Sequence, residues 1–132
     1  EKAPAALCRK VAEAFRDGKG RIEIWGDGQQ VRSFCYIDDC IAQIMRLSTS
    51  TYPHPINIGT DEEVTINGLA RCIMQVAKIK LGIDYVEGPQ GVRARNANLA
   101  EAKRLLIHTG ARNLQEGISL TYPWIKERVL ST

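Results

Sequence analysis

An Asp-Gly pair between two alternating stretches constrains the fold of this chain more than any other feature. Residues 21–40, RIEIWGDGQQVRSFCYIDDC, place Asp27-Gly28 between apolar residues that alternate with polar ones. A tight hairpin turn requires a positive φ angle, which glycine adopts without steric cost. The pattern therefore predicts a hairpin of two strands, Arg21–Trp25 and Gln30–Tyr36, joined by this turn.

Helical periodicity, capping residues and glycine stops predict the remaining elements. Helices are expected from Pro4 to about Asp17, Asp38 to Leu47, Leu99 to Leu106 and Leu114 to Leu130, with a longer one capped by Thr65 and running to about Ile79; further strands are expected at Pro55–Gly59 and Ile83–Val86. Leu7, Val11 and Phe15 are spaced four residues apart, so we expect them on the buried face of the first helix. Alternating helices and strands predict a mixed α/β fold.

Composition agrees with one compact domain over residues 1–132. Of the 132 residues, 44% are hydrophobic, which is enough for a single core. The net charge of +3 is small and scattered among acids, which argues against a nucleic-acid partner. No apolar stretch has the length of a membrane span and no signal peptide is recognisable, so we expect a cytoplasmic location and no membrane partner.

The cysteines do not form a metal-binding pattern. Cys8, Cys35, Cys40 and Cys72 lack the paired C-x-x-C spacing of a zinc site and lie among apolar neighbours in helical or strand patterns. We therefore expect reduced core or near-surface thiols and no bound metal.

Three arginines suggest an anion site. Arg32 follows the Asp-Gly turn on a predicted strand, and a guanidinium on a rigid element can donate two hydrogen bonds to one carboxylate or phosphate. Arg93 and Arg95 alternate in the loop GPQGVRARNAN, residues 88–98, so they share a face and would repel unless an anion or an acidic side chain lay between them. A diphosphate is the simplest ligand for all three; a solvated edge-strand arginine is the alternative for Arg32 alone.

The chain lacks the signature of a dinucleotide site. Such a site requires a Gly-x-x-Gly-x-x-Gly turn between a strand and a helix, whose amides hold the pyrophosphate. Gly18-Lys19-Gly20 lies between a helix and a strand, in the opposite order, and is expected to be a helix stop. We therefore expect no cofactor in this chain.

The motifs RSFCYIDDCIAQIMRL, PINIGTDEEVTINGLARCI and GVRARN occur in an order that resembles the C-terminal part of extended short-chain dehydrogenase/reductase enzymes acting on nucleotide sugars. The narrower motifs EKAPAALCRK and GVRARN resemble the epimerases of GDP-sugars within that family. The resemblance implies a small substrate-binding domain without the Rossmann half, a nucleotide-sugar substrate and NAD in the full-length enzyme. The absence of a methionine at Glu1 suggests a piece of a longer enzyme or an orphan domain.

Roles follow from the resemblance for individual residues. Lys2 would be an acid/base group, which needs a pKa lowered towards neutrality by burial or nearby positive charge. The other implied contacts are to the substrate: Glu1 and Ala3 to the sugar, Lys10 near the diphosphate, Gln30 and Arg32 to nucleotide and phosphate, and Arg95 as a diphosphate clamp. The opposing interpretation of Lys2 is a solvated lysine at a frayed terminus.

Tyr122 and Lys126 match the Tyr-x-x-x-Lys spacing of the family's catalytic pair. The family places that pair far upstream, and Pro123 between the two residues removes a backbone amide. We therefore expect an ordinary amphipathic terminal helix.

Three functions remain open from the sequence. The chain is expected to be the substrate-binding portion of a nucleotide-sugar epimerase that is inactive alone; the alternatives are a stand-alone binding module for nucleotide sugars or other phosphorylated ligands, and a non-catalytic interaction domain. Separation from a Rossmann domain is expected to expose apolar surface around the first helix, which self-association or a Rossmann-domain partner would cover.

Overall fold

The computed structural model describes residues 2–89 and 91–132. Its elements in chain order are α1 (Ala3–Arg16), β1 (Arg21–Trp25), β2 (Val31–Arg32), α2 (Ile37–Ser48), β3 (Val64–Thr65), α3 (Ile66–Ala77), β4 (Gly82–Val86), α4 (Ala100–Arg104) and α5 (Leu114–Leu130). The mixed α/β class predicted from the sequence is confirmed.

The predicted hairpin is wrong, because β1 and β2 lie in different sheets. β1 pairs in parallel with β4, and β2 pairs antiparallel with β3. The carbonyls of Gly28 and Gln30 accept hydrogen bonds from the amides of Asn67 and Ile66, at 2.9 and 3.1 Å. The first amides of a helix lack partners within that helix, so α3 captures the turn and separates the two strands.

The strand predicted at Pro55–Gly59 is also wrong. The backbone of Gly59 is bound instead by the buried side chain of Gln43, which donates to its carbonyl at 2.9 Å and accepts from its amide at 2.8 Å. A side-chain amide thus replaces a neighbouring strand. The second hairpin strand is shorter than predicted, and β3 was not predicted.

The core lies where α1 packs against α3, α5 and β1. Leu7, Val11, Leu69 and Ile73 are buried there, as the helical spacing predicts. Phe15 is a correction, because its side chain is 48% exposed on the last turn of α1 and lies beneath the Lys126 ammonium, 4.1 Å from the ring centroid. The last turn of α1 therefore extends beyond the core, although the apolar spacing of Leu7 and Val11 continues to Phe15.

Exposed apolar side chains lie along one face of α2, at Ile37, Ile41, Ile44 and Met45. The sequence predicts exposed apolar surface on part of the first helix and the loops beside it; Phe15 of α1 and Trp25 at the end of β1 are exposed, whereas Leu7 and Val11 of α1 are buried. None of the described helices is long and apolar enough to cross a lipid bilayer.

Three helices end in the same hydrogen-bond pattern around a residue with positive φ. At Gly18 the amide of Lys19 donates to Ala14, which confirms the predicted helix stop. Lys78 and Leu106 occupy the corresponding positions after α3 and α4, with φ of 55° and 57°. Glycine adopts this conformation freely, whereas a side chain there is strained.

Candidate functional site

A cavity of about 530 Å³ lies between the start of α1, strand β1 and the segment that carries β2. Its lining gathers five of the side chains that the resemblance assigned to the site: Lys2, Ala3, Lys10, Gln30 and Arg32. The remaining lining residues are mainly apolar: Ala6, Leu7, Ile24, Trp25, Phe34, Ile66 and Pro89, with Arg9 and Glu23. The structure therefore brings together residues that are up to thirty positions apart.

Helix α1 positions the N-terminal part of the site. Lys2 is its N-cap residue, with an exposed side chain and a carbonyl that accepts from the Ala6 amide at 3.0 Å. Lys10 lies two turns further along and donates from Nζ to the carbonyl of Glu23 at 2.8 Å. Glu1 lies outside the described residues, so its predicted contact with the sugar stays a prediction.

Val31 positions Gln30 and Arg32 because it is bound on both edges. It pairs antiparallel with Thr65 on one side and forms a parallel bridge with Ala94 on the other. Gln30 is buried, with 4% of its surface exposed. The Arg32 guanidinium donates to the carbonyls of Val31 and Val92, each at 2.7 Å, so it tethers the 91–95 segment, and Arg32 also lines the cavity.

The two loop arginines have different environments. Arg93 donates to both carboxylate oxygens of Asp27, at 2.8 and 3.1 Å, so an acidic side chain does lie against this face. The Arg93 guanidinium and the Gln29 amide hold the pKa of Asp27 below its usual value. Within residues 2–89 and 91–132 the exposed Arg95 guanidinium has no hydrogen-bond or ion-pair partner, and Arg95 is outside the cavity lining.

A buried asparagine supports the turn beneath these residues. Asn67 donates from Nδ2 to the Asp27 carbonyl at 3.1 Å and accepts from the Tyr85 hydroxyl at 3.0 Å. Gly28, with a φ of +68°, packs so closely on this amide that an added Cβ would overlap it. The sequence indicated only the turn; the asparagine that fixes it was missed.

Aromatic lining was also missed. Trp25 is 55% exposed at the end of β1, and its ring packs against the backbone of Gly88, where an added Cβ would lie 2.8 Å from Cγ. Phe34 lines the same cavity. The sequence did contain a signal for this aromatic residue. Buried and exposed residues alternate along β1, so Trp25 lies on the exposed face with Arg21 and opposite the core residue Ile24.

The Tyr-x-x-x-Lys spacing in α5 does not form a catalytic pair. Tyr122 is 4% exposed within the core, where burial raises the pKa of its phenol, with a smaller contribution from Cys8. Lys126 contacts the ring of Phe15 instead. A catalytic tyrosine needs the opposite pKa shift, so the interpretation of α5 as an ordinary terminal helix is supported.

The cysteines are free thiols, as expected, with Cys8 buried and the other three half-buried. Burial, then the neighbouring Cys72, raises the pKa of Cys8 to about 12. Among the described residues no group of His, Cys, Asp and Glu has the arrangement of a metal site.

The fold is that of the C-terminal part of extended short-chain dehydrogenase/reductase enzymes. A UDP-glucuronic acid 4-epimerase from Bacillus cereus, solved with UDP-glucuronic acid and NAD, superposes with a TM-score of 0.78 at 24% identity, over 92% of this chain and 40% of that chain. The model of the NAD dependent epimerase/dehydratase family matches residues 1–59 of this chain. The resemblance inferred from the sequence motifs is thereby confirmed.

Two curated relatives are more similar to this chain in sequence than the Bacillus cereus enzyme is. The GDP-mannose 3,5-epimerase of Arabidopsis thaliana is 44% identical over 98% of this chain. The UDP-glucuronic acid decarboxylase 6 of the same plant is 36% identical over 83% of this chain. The chain spans about a third of the length of these relatives, 33% and 32%.

The described residues do not fit NAD, the cofactor found with the Bacillus cereus enzyme. Gly18 and Gly20 lie in exposed positions where an added Cβ meets nothing within 4 Å, unlike the closely packed glycines of a dinucleotide turn. The segment also joins the end of α1 to β1, which is the wrong order for that turn.

Proposed function

We propose that residues 1–132 are the substrate-binding domain of a nucleotide-sugar epimerase that resembles GDP-mannose 3,5-epimerase. The observation that carries this proposal is the cavity itself. Lys2, Lys10 and Arg32 bring three cationic side chains to one concave surface that is otherwise mainly apolar. A nucleoside diphosphate sugar combines an anionic centre with flat and less polar ends, and this lining is complementary to such a ligand.

The diphosphate would lie between Arg32 and Arg95, with Lys10 nearby. Arg32 is held in place by two carbonyl contacts, so its orientation costs little entropy on binding. Arg95 follows the bridge between Val31 and Ala94, and its own amide donates to the Val31 carbonyl at 3.2 Å. The short strand β2 thus carries Arg32 and is hydrogen-bonded to the backbone at Arg95.

The nucleobase would stack on Trp25. Trp25 is 55% exposed, lines the cavity and packs against Gly88. Stacking on an aromatic ring contributes about 1–3 kcal/mol per base and tolerates different bases. The choice between GDP-sugars and UDP-sugars would therefore depend on Gln30, whose amide is the buried polar group of the lining.

Lys2 would exchange a proton with the sugar, with Ala3 and Glu1 beside it. Its side chain is exposed in this chain, so a covering domain would have to supply the desolvation that acid/base work by a lysine requires. We accordingly propose that the chain alone binds substrate and does not turn it over.

Isothermal titration calorimetry tests the proposal with GDP-mannose, UDP-glucuronic acid, unmodified mannose and NAD. We expect weak binding of the nucleotide sugars, with GDP-mannose preferred, and no heat above dilution for mannose or NAD. The matched control is Arg21→Ala, which removes an exposed arginine that pairs with Asp84 away from the cavity.

Each outcome has a distinct meaning. Loss of binding on Arg32→Ala, with Arg21→Ala unchanged, supports the diphosphate site. Equal responses to mannose and GDP-mannose would argue against it, and micromolar binding of NAD would overturn the assignment to the substrate half. Binding by a chain that has no catalytic partner in its natural context would favour the stand-alone binding module.

A further inference from the structure

The segment that carries Arg95 is attached to the rest of the protein at a few defined points. The Val31 amide donates to the Arg93 carbonyl at 2.9 Å, and the Arg95 amide donates to the Val31 carbonyl at 3.2 Å. Arg32 donates to the Val92 carbonyl at 2.7 Å. After Arg95, the Asn96 side chain accepts from the Ser33 hydroxyl at 2.8 Å and donates to the Glu63 carboxylate at 3.0 Å and to the Asp61 carbonyl at 3.4 Å. Before Arg95, the side chain of Arg93 forms an ion pair with Asp27.

Asp27 is held on its other side by the core. Its carboxylate accepts from the Gln29 amide at 2.9 Å, and its carbonyl accepts from the side chain of Asn67. Asn67 is 3% exposed and is held in turn by the Tyr85 hydroxyl. The carboxylate of Asp27 is therefore a fixed point, although the ion pair itself faces solvent.

We propose that Arg93 is a positioning residue, which pairs with Asp27 to hold Arg95 against the diphosphate and does not itself bind the ligand. The proposal rests on the proposed function, since it concerns the same anion site. It gives different roles to two arginines that alternate in the same loop. One guanidinium is engaged by an acid sixty-six residues away, and the other is left to meet a ligand.

The geometry explains why the pair has this effect. Residues 93 and 95 flank the bridge at Ala94, so a shift of Arg93 is transmitted to Arg95 through two peptide units. The bridge supplies one hydrogen bond on each side of Ala94 and does not extend further as a strand. Without the ion pair, the segment would retain fewer attachments and sample more conformations.

Binding of GDP, measured by calorimetry, gives the first test. Removing an exposed ion pair changes free energies by a few tenths to one kcal/mol, so Arg93→Ala is expected to weaken binding by about two- to fivefold. Arg93→Ala is expected to have no further effect when Arg95→Ala is already present, because a positioning residue acts only through the residue it positions. Arg93→Lys is expected to restore part of the loss. Arg21→Ala, which removes the exposed ion pair with Asp84, is the matched control.

Asp27→Asn distinguishes positioning from direct contact by the sign of its effect. The asparagine keeps an oxygen for the Gln29 amide and removes the charge that holds Arg93. If Arg93 positions Arg95, Asp27→Asn weakens GDP binding as Arg93→Ala does. If Arg93 bound phosphate directly, Asp27→Asn would release it and leave binding unchanged or stronger, and this result would overturn the proposal.

Amide hydrogen exchange tests the ion pair without any ligand. In Arg93→Ala the amides of Val31 and Arg95 are expected to exchange about two- to fivefold faster, with no change in Arg21→Ala. Faster exchange in a chain that binds no GDP would show that the ion pair orders the segment around Arg95 while refuting the proposed function. Unchanged exchange would refute the positioning role even if GDP binds.

Discussion

Substituting Gly28 with alanine should destabilise the protein more than the same substitution at Gly18, another turn glycine with positive φ. Gly28 has a φ of +68°, and a Cβ there would overlap the side-chain amide of the buried Asn67. The amide would have to move, which breaks its hydrogen bonds to the Asp27 carbonyl and from the Tyr85 hydroxyl. Backbone strain and lost packing therefore add at this position.

Gly18 provides a matched control for the size of the effect. Its φ is +64° and an added Cβ meets nothing within 4 Å. The positive φ costs an L residue about 1–2 kcal/mol, and the reduced freedom of the unfolded chain returns about 0.4–1 kcal/mol. Gly18→Ala should therefore cost about 0.5–1 kcal/mol.

Gly28→Ala carries the same backbone cost and also loses two hydrogen bonds of about 0.5–1.5 kcal/mol each, for a total of about 1.5–4 kcal/mol. At roughly 3.6 °C per kcal/mol for 132 residues, Tm should fall by roughly 5–14 °C. Urea unfolding and calorimetry of both variants provide the measurement. Equal losses for Gly28→Ala and Gly18→Ala would refute the argument that Asn67 packs against the turn.

The remaining predictions concern single side chains. Arg32→Ala and Arg95→Ala should each weaken GDP-mannose binding by about 1.5–3 kcal/mol in calorimetry, the usual contribution of a charge-assisted hydrogen bond, and an unchanged affinity for both would exclude a diphosphate clamp. Leu106→Gly should raise the unfolding free energy in urea by about 0.5 kcal/mol, because it relieves a positive φ at an exposed leucine; a loss of stability would show that this strain is absent. Burial raises the pKa of Cys8 to about 12, so its contribution to stability is complete below the unfolded pKa of about 8.5 and is lost as the pH rises towards 12. Urea unfolding across that range should therefore show a decline that is smaller in Cys8→Ala, and identical declines would contradict this assignment.

Features that depend on neighbouring residues could be predicted from the sequence alone. The bounds of α5 match the predicted Leu114–Leu130, and Thr65 caps α3 by accepting from the Gly68 amide at 2.9 Å. Gly18 ends α1 with the expected positive φ. Caps, stops and helical periodicity act within a few residues, so the local pattern is sufficient to determine them. The same holds for the motifs that indicated the family, because each is read from contiguous residues.

Which segments meet could be decided only by the tertiary structure. Strand β1, which precedes the Asp-Gly turn, pairs with Gly82–Val86 and not with the chain that follows the turn. The reason is that the backbone amides at the start of α3, which lack partners within the helix, donate hydrogen bonds to Gly28 and Gln30. Arg93 and Arg95 have the same local pattern, yet only Arg93 lies within reach of Asp27. Trp25 became part of a cavity because α1 and the Arg32 segment close around it. Local sequence specifies what each residue can bind; competition among distant donors, acceptors and apolar surfaces for the same partners decides what it does bind.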